Sequence, residues 1–382
     1  MSRVAMLLSN AYRPDPRVQR AARSLLQAGY ELDLYCWDRQ AELPEAETQT
    51  GLHIHRLKSV PSRYAAGWRQ MFRLPRFWRW ARMQIERQPA EIVHCHDLDT
   101  LYAGVAIKRR TGCRLVYDAH EHYPALMAQY LPPSMVTLLS LWEQILVKQV
   151  DQIITASSVL AEEYRHKTSL PVAVIGNAPS RVEFQSLCPK NATRIRQEIG
   201  LDAGQLGVFY IGGYTNNRAL NPLIAAMPDL PGWQLHLWGD GPQRAVVETA
   251  LAGLENAHAH GWAESATLPG LFAAADVIYY CLRSDTPGAQ YNAPNTLAYA
   301  MAAGRPILAN RVGDLGRIVA ETQCGILLEV VTLDAVCQAL QHLEDPATRR
   351  RLGENGRRAA ETQFNWETTS RRLIEIYARL SR

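Results

Sequence analysis

Residues 3–36 change hydrophobic period twice, and that change decides which folds are open to the chain. An apolar run, Arg3–Ser9, gives way to a polar loop, Asn10–Asp15. A stretch with helical spacing, Arg17–Ala28, follows, stops at Gly29, and leads into a second apolar run, Glu31–Cys36. Strand, helix and strand at such short range predict parallel strands joined by a right-handed crossover. The alternation persists through strands at Ile92–His94, Arg114–Tyr117, Gln152–Ala156 and Val172–Ile175, with helices at Leu101–Arg110, Ser134–Val150 and Val159–His166. It lapses from Asn177 to Leu201, the expected linker, and resumes with strands Leu206–Ile211, Gln234–Trp238, Val277–Tyr280, Pro306–Ala309 and Gly325–Leu328. The fold class expected is α/β, with two doubly wound domains facing a cleft and ligands at the carboxyl ends of the strands. The expected domains are 1–180 and 190–364, with 365–382 a C-terminal helix packing back towards the first domain.

Length and composition agree. At roughly 100–200 residues per domain, 382 residues make two cores, and 47% hydrophobic with 20% charged residues excludes a disordered chain. The net charge of +4 lies far below that of a dedicated nucleic-acid binder. Seven cysteines without a C-x-x-C pair fit a reducing compartment. The apolar run at the start is too short for a signal peptide, and none is long enough to span a membrane. A cytoplasmic protein is expected.

Three constellations follow predicted strands. The loop 285–294 (DTPGAQYNAP) feeds a helix beginning Asn295-Thr296, where free N–H groups and the positive end of the helix dipole suit a phosphate; plain capping by Asn295 is the alternative. Gly212 and Gly213 let the backbone approach a ligand, and Arg218 offers a guanidinium to a diphosphate or, alternatively, to a surface salt bridge. In the first half, His94-Cys95-His96-Asp97-Leu98-Asp99 and Tyr117-Asp118-Ala119-His120-Glu121-His122 end successive strands. They crowd ionisable groups without H-E-x-x-H or a Cys–His zinc spacing. Recognition of a sugar or acceptor is expected there rather than a metal, with His120 able to donate or accept near neutral pH. A hydrolase elbow, a Walker loop and a strand-initial G-x-G-x-x-G are absent, and Gly239-Asp240-Gly241-Pro242 reads only as a turn.

In order, DPRVQRAARSLLQAGYELDL, EIVHCHDLDTLYAG, LVYDAHEHYP, QIITASS, FYIGGYTNNRALNPLIAAM, LHLWGDGP, LPGLFAAADVIYY and APNTLAYAMAAGRPILA resemble the retaining family-4 glycosyltransferases (glycosyl transferases group 1) of the GT-B fold. The resemblance spans nearly the whole chain and implies two Rossmann-like domains. It implies a hexose moved from a nucleotide-sugar donor held by the second domain, with no cofactor and no required metal. Arg218 matches the residue that holds the diphosphate, Gly212 and Gly213 the glycine turn, Asn295 and Thr296 the phosphate-facing helix start. His120 matches the histidine that approaches the transferred sugar, and Asn10, Arg13, Arg17, His96 and Asp97 fall on the acceptor side. The family's Glu-x7-Glu pair falls on Tyr291 and Tyr299, placed here as donor-binding residues; Asp285 and Asn292 flank the same loop. Because both carboxylates are replaced, a sugar-nucleotide epimerase of the same fold and a non-catalytic scaffold subunit stand as alternatives.

Residues 56–87 hold nine Lys or Arg against the single Glu86, interleaved with aromatic residues. Arg73, Arg76, Trp78, Arg79, Trp80 and Arg82 are expected to form a face for an anionic membrane surface; a helix that packs its Trp residues inward and leaves its arginines solvated is the alternative. The membrane reading places the protein peripherally on the inner face of the plasma membrane and makes the acceptor a lipid-linked glycan in surface polysaccharide synthesis. Nucleic acid is not an expected partner.

Overall fold

The computed structural model describes residues 2–13, 15–62, 72–185, 189–202, 204–293 and 295–382. The chain forms two compact units, one of Met1–Gly176 with Thr369–Arg382, the other of Asn177–Thr368.

Unit 1 contains β1 (Arg3–Leu8), α1 (Pro16–Gln27), β2 (Glu31–Trp37), β3 (Ala46–Gln49), β4 (Leu52–Leu57), α2 (Leu74–Arg87), β5 (Ile92–His96), α3 (Leu98–Thr111), β6 (Arg114–Ala119), α4 (Tyr123–Met127), α5 (Pro133–Val147), β7 (Gln152–Thr155), α6 (Ser158–Lys167) and β8 (Val172–Val174). Its sheet has the order β3-β4-β2-β1-β5-β6-β7-β8, parallel except for the β3–β4 pair. The inner strands are apolar nearly throughout because helices cover both faces of a parallel sheet; β1 is buried from Val4 to Leu8. Local chemistry sets the helix ends. The Asp15 side chain accepts from the Arg17 N–H at the start of α1, with Pro16 at the first helical position. Gly112, at φ 74°, closes α3 in a left-handed conformation that costs glycine nothing.

Unit 2 contains α7 (Arg181–Gln185), α8 (Pro189–Glu198), β9 (Leu206–Ile211), α9 (Asn221–Ala226), β10 (Trp233–Trp238), α10 (Arg244–Leu251), β11 (Ala257–Ala259), α11 (Leu268–Ala274), β12 (Val277–Tyr280), α12 (Asn295–Ala303), β13 (Ile307–Asn310), α13 (Gly313–Thr322), β14 (Gly325–Leu328), α14 (Leu333–His342) and α15 (Pro346–Thr362). Its parallel sheet runs β11-β10-β9-β12-β13-β14. The final helix, α16 (Trp366–Leu380), belongs to unit 1 from Thr369 onward.

In each sheet the chain reverses its direction of travel once: between β1 and β5 in unit 1, and between β9 and β12 in unit 2. At such a reversal the loops leave on opposite sides and a crevice opens beyond the strand ends.

Three expectations need correction. The β3–β4 hairpin is not anticipated by the strand–helix rhythm, because it is an antiparallel edge added to a parallel sheet. The stretch 177–201 is not a bare linker. It carries α7 and α8, and Arg196 on α8 pairs with Asp276 at 2.8 Å ahead of β12. Arg56 does not belong to a surface patch: it is 1% exposed and pairs with Glu47, and its Nε donates to the Ala11 carbonyl at 2.9 Å.

Candidate functional site

At the reversal in unit 2, β9 ends at Ile211 and continues into Gly212-Gly213. The Thr296 hydroxyl donates to the Ile211 carbonyl at 3.3 Å, which seats the first turn of α12 against that strand end. Arg218 lies beside it. Its backbone bridges to Leu282, just past β12, and its guanidinium stacks 4.7 Å from the centre of the Tyr280 ring. The Tyr280 hydroxyl in turn donates to Asn292 Oδ1 at 3.1 Å. Nε and Nη1 of Arg218 are buried without a hydrogen-bond partner among the described residues. A buried charge is costly unless paired, so this arrangement suits an anion supplied from outside. A cavity of about 430 Å³ opens there, lined by Arg218, Asn221, Leu282, Ser284, Asn310 and Glu329 among others.

The neighbouring loop is shaped by glycine. A side chain at Gly239 would run into the Gly212 carbonyl oxygen, and one at Gly241, at φ 144°, would lie 2.7 Å from the Tyr214 carbonyl oxygen. The Gly-Asp-Gly-Pro turn therefore lets the β10 loop press against the β9 loop. At Gly213 a Cβ would meet nothing closer than 3.7 Å.

At the reversal in unit 1, a polar cluster is built by strand periodicity. His94 and His96 alternate along β5, Asp118 stands on β6 directly opposite His96, and His120 follows in phase just past the end of β6. One oxygen, Asp118 Oδ2, lies 2.8 Å from His120 Nε2, 3.1 Å from His94 Nε2 and 3.3 Å from His96 Nδ1. His94 Nδ1 also meets the Tyr377 hydroxyl at 2.6 Å. Burial alone would raise the Asp118 pKa, but the surrounding rings, His120 foremost, hold it well below the usual carboxylate range. Burial opposes a charge on His120, yet the Asp118 carboxylate outweighs it and raises the His120 pKa. His96 is pushed down to about 4 by burial and by His94, although the same carboxylate favours its charge. Between His96 and His120, the charge is therefore favoured on His120.

Asp97 adds strain. Its backbone sits at φ 62° and ψ 168°, a region that costs a non-glycine residue roughly 1–3 kcal/mol. Asp97 Oδ1 accepts from the His120 N–H at 3.2 Å. Arg17 pairs with Asp15 at 3.2 Å and is held protonated, against its burial, by Asp15 and Asp97. Asp99, bonded to the Ser9 hydroxyl, is pushed up to about 7 by burial and by Asp97.

Comparison with known proteins fits both halves of this architecture. The family model for Glycosyltransferase Family 4 matches residues 17–178, and the model for Glycosyl transferases group 1 matches residues 205–345. The chain is a group 1 glycosyltransferase of the GT-B fold. An uncharacterized glycosyltransferase of Methanocaldococcus jannaschii is 23% identical over 378 residues, covering 93% of this chain and 91% of that protein. Sucrose-phosphate synthase from Thermosynechococcus elongatus superposes with a TM-score of 0.83 at 21% identity, covering 100% of this chain and 99% of that one. Anabaena HepE in complex with UDP-glucose gives 0.75 at 16% identity, covering 98% and 99%.

Within this glycosyltransferase the predicted site residues divide. Unit 2 brings Gly212, Gly213, Arg218 and the start of α12 together, and unit 1 brings Arg17, His96, Asp97 and His120 together. Thr296 is 8% exposed, with its hydroxyl spent on Ile211. It positions the helix rather than facing a ligand, whereas Asn295 is exposed. Tyr299 is not placed to hold a donor: it packs on Phe184 and Phe272, with ring centres 5.5 and 5.3 Å away, and its hydroxyl meets Glu183 at 3.3 Å. Tyr291 is half-buried in a single turn, 289–291. Asn10 turns back on the backbone, accepting from the Tyr12 N–H at 2.8 Å, and Arg13 is drawn to Glu42.

Trp78 and Trp80 of the basic segment also face inward. Trp78 Nε1 donates to the Asp99 carbonyl at 2.6 Å, and Trp80 lies 6.0 Å from both Tyr35 and Phe77. Arg73, Arg76 and Arg79 remain exposed, and Arg82 pairs with Glu86 at 3.5 Å. Tryptophans held this way do not supply the apolar half of a membrane face. Residues 63–71 of that segment lie outside the described residues.

Tyr280 is the functional group that sequence reasoning missed, and Asp118 stands in the named cluster without a role assigned to it. In-phase polar residues at the ends of β5 and β6 were the available signal for Asp118. Tyr280 needs the β9–β12 adjacency, which no local pattern encodes.

Proposed function

We propose that the protein is a retaining hexosyltransferase that moves a sugar from a nucleotide-sugar donor to a lipid-linked glycan acceptor in surface polysaccharide or glycoconjugate synthesis. The observation that carries this reading is the guanidinium of half-buried Arg218, stacked on Tyr280 with two buried, unpartnered nitrogens at the reversal of the second sheet. A nucleoside diphosphate supplies the missing anion. UDP-glucose, the ligand of the Anabaena relative, is the first donor to test.

In the transfer, the acceptor hydroxyl oxygen attacks the anomeric carbon from the face the leaving group departs. The bond from that carbon to the diphosphate oxygen breaks, and the acceptor proton passes to the departing phosphate. Arg218 and the start of α12 stabilise the charge that grows there, so the protein needs no nucleophile of its own. On this account the charge is neutralised without a metal. His120, whose protonated form Asp118 favours, is assigned to the transferred sugar as a hydrogen-bond donor.

The test is transfer from α-linked UDP-hexoses to polyprenyl-diphosphate-linked sugars, with the product's anomeric configuration read by NMR. An α-linked product, formed equally with and without EDTA, is expected. A β-linked product removes the retaining assignment, and conversion of UDP-hexose without an acceptor favours an epimerase.

A further inference from the structure

Helix α5 is apolar on two sides. Leu139, Leu146 and Val147 are buried in unit 1, as the core of a doubly wound domain requires. Met135, Leu138, Leu141 and Ile145 recur on the other side at helical spacing, and are 40%, 65%, 50% and 60% exposed. Tyr130, 61% exposed ahead of α5, and Tyr102 of α3, 44% exposed, extend the surface. The Trp142 ring of α5 lies 6.2 Å from both Tyr102 and Trp78, so α5, α3 and α2 meet in one aromatic seam.

Charge is distributed just as unevenly. From Tyr123 to Val147 the single ionisable acid or base is Glu143. It is turned inward, accepting from the Tyr117 and Tyr164 hydroxyls at 2.8 and 2.6 Å. No exposed carboxylate therefore interrupts the ridge. In the α2 segment, which meets α5 through Trp78 and Trp142, Arg73, Arg76 and Arg79 stand exposed with no ion pair among the described residues, Arg73 donating to the Pro61 carbonyl, and Lys148 follows α5.

We propose that this face seats on an anionic lipid bilayer. In that arrangement α5 lies in the interfacial plane, Leu138, Leu141 and Ile145 enter the acyl boundary, and the α2 arginines meet the headgroups. The complementarity favours lipid: a ridge without carboxylates, flanked by guanidiniums, matches a surface that is apolar within and negative at its rim. Among the described residues no helix is long and apolar enough to cross a membrane. The contact is in-plane. The proposal deepens the lipid-linked acceptor reading and moves the apolar part of the membrane face from the α2 tryptophans to α5.

The experiment sediments the full chain with phosphatidylcholine vesicles containing one quarter phosphatidylglycerol, and with pure phosphatidylcholine vesicles. Thermal stabilisation by UDP-glucose is read on the same samples, so loss of the membrane contact and loss of the donor reading are separable. At least ten-fold more protein is expected in the pellet with the anionic vesicles. Leu138→Ser with Ile145→Ser should return it to the supernatant, with the UDP-glucose stabilisation kept, and Leu138→Phe with Ile145→Phe should restore pelleting. Arg73, Arg76 and Arg79 changed together to Gln should abolish the preference for anionic lipid. Wild-type protein that stays in the supernatant, or serine variants that pellet like wild type, would overturn the proposal. So would self-association without lipid that the serine variants abolish, which assigns the face to a second copy.

Discussion

Asp118 Oδ2 stands 2.8 Å from His120 Nε2, and the same oxygen touches His94 and His96. One carboxylate therefore sets the protonation of the histidine assigned to the transferred sugar. Replacing it with an amide keeps the shape and removes the charge. In Asp118→Asn, burial and Arg17 act on His120 with only the weaker support of Asp97 left, so its pKa should fall. NMR titration of the ring reads this directly, and the loss of transfer activity with rising pH should begin at lower pH. An unmoved His120 titration would assign its proton to another group. Breaking a buried pair also costs about 3–5 kcal/mol of stability, so the variant should be studied well below its melting temperature.

Tyr299 separates packing from ligand binding. Tyr299→Phe removes a hydroxyl that meets Glu183 at 3.3 Å. The expected cost is about 0.5–1.5 kcal/mol, with nucleotide affinity unchanged. Tyr299→Ala removes the ring packed on Phe184 and Phe272 and should cost about 3–5 kcal/mol. Denaturant unfolding and calorimetry distinguish the two; weaker nucleotide binding by Tyr299→Phe would return this residue to the donor site.

The glycines should rank in the reverse of their sequence prominence. Gly239→Ala forces a side chain onto the Gly212 carbonyl, whereas Gly213→Ala meets only ordinary contacts. Thermal unfolding should show clear destabilisation for the first and a near-native midpoint for the second. A similar loss at both would mean that the β9 loop, not the contact between the loops, demands glycine.

A histidine pair makes unit 2 acid-sensitive. His236 is 1% exposed, with Nδ1 2.9 Å from Nε2 of His260, and is pushed down to about 3 by burial and by its neighbours His260 and His258. His260 is shifted the same way. The unfolded chain takes up these protons near pH 6.5 while the folded chain refuses them, so stability is complete above that pH and falls as pH drops towards 3. His236→Asn should flatten the dependence of melting temperature on pH between 6.5 and 4. An unchanged slope would place the acid sensitivity elsewhere.

Much of the fold was legible because parallel strands buried on both faces write themselves as continuous apolar runs between helical repeats. Val4 to Leu8 and Leu206 to Ile211 announce themselves in that way. The β3–β4 hairpin did not, since an edge pair such as Ala46–Gln49 alternates exposure and carries no run. The ligand-facing groups were legible as strand-terminal clusters but not as partners. Arg218 could be named from its loop, whereas the Tyr280 ring beneath it comes from a strand more than sixty residues away in sequence and requires the sheet order. Which way the aromatic-basic segment turns its tryptophans is illegible for a related reason. Composition places Trp78 and Arg79 together, and only the neighbouring helices decide that one faces in and the other out.

The central claim is that the two unpartnered nitrogens of the Arg218 guanidinium receive a donor diphosphate. Titration calorimetry of UDP-glucose into wild type, Arg218→Lys and Arg218→Ala tests it most directly, since charge-assisted hydrogen bonds of this kind are worth about 1.5–3 kcal/mol. The account predicts measurable binding by wild type, weakening of roughly ten- to a hundred-fold in Arg218→Ala, and an intermediate value in Arg218→Lys, which keeps the charge and loses the stacked fork. Equal affinity in all three proteins would contradict it.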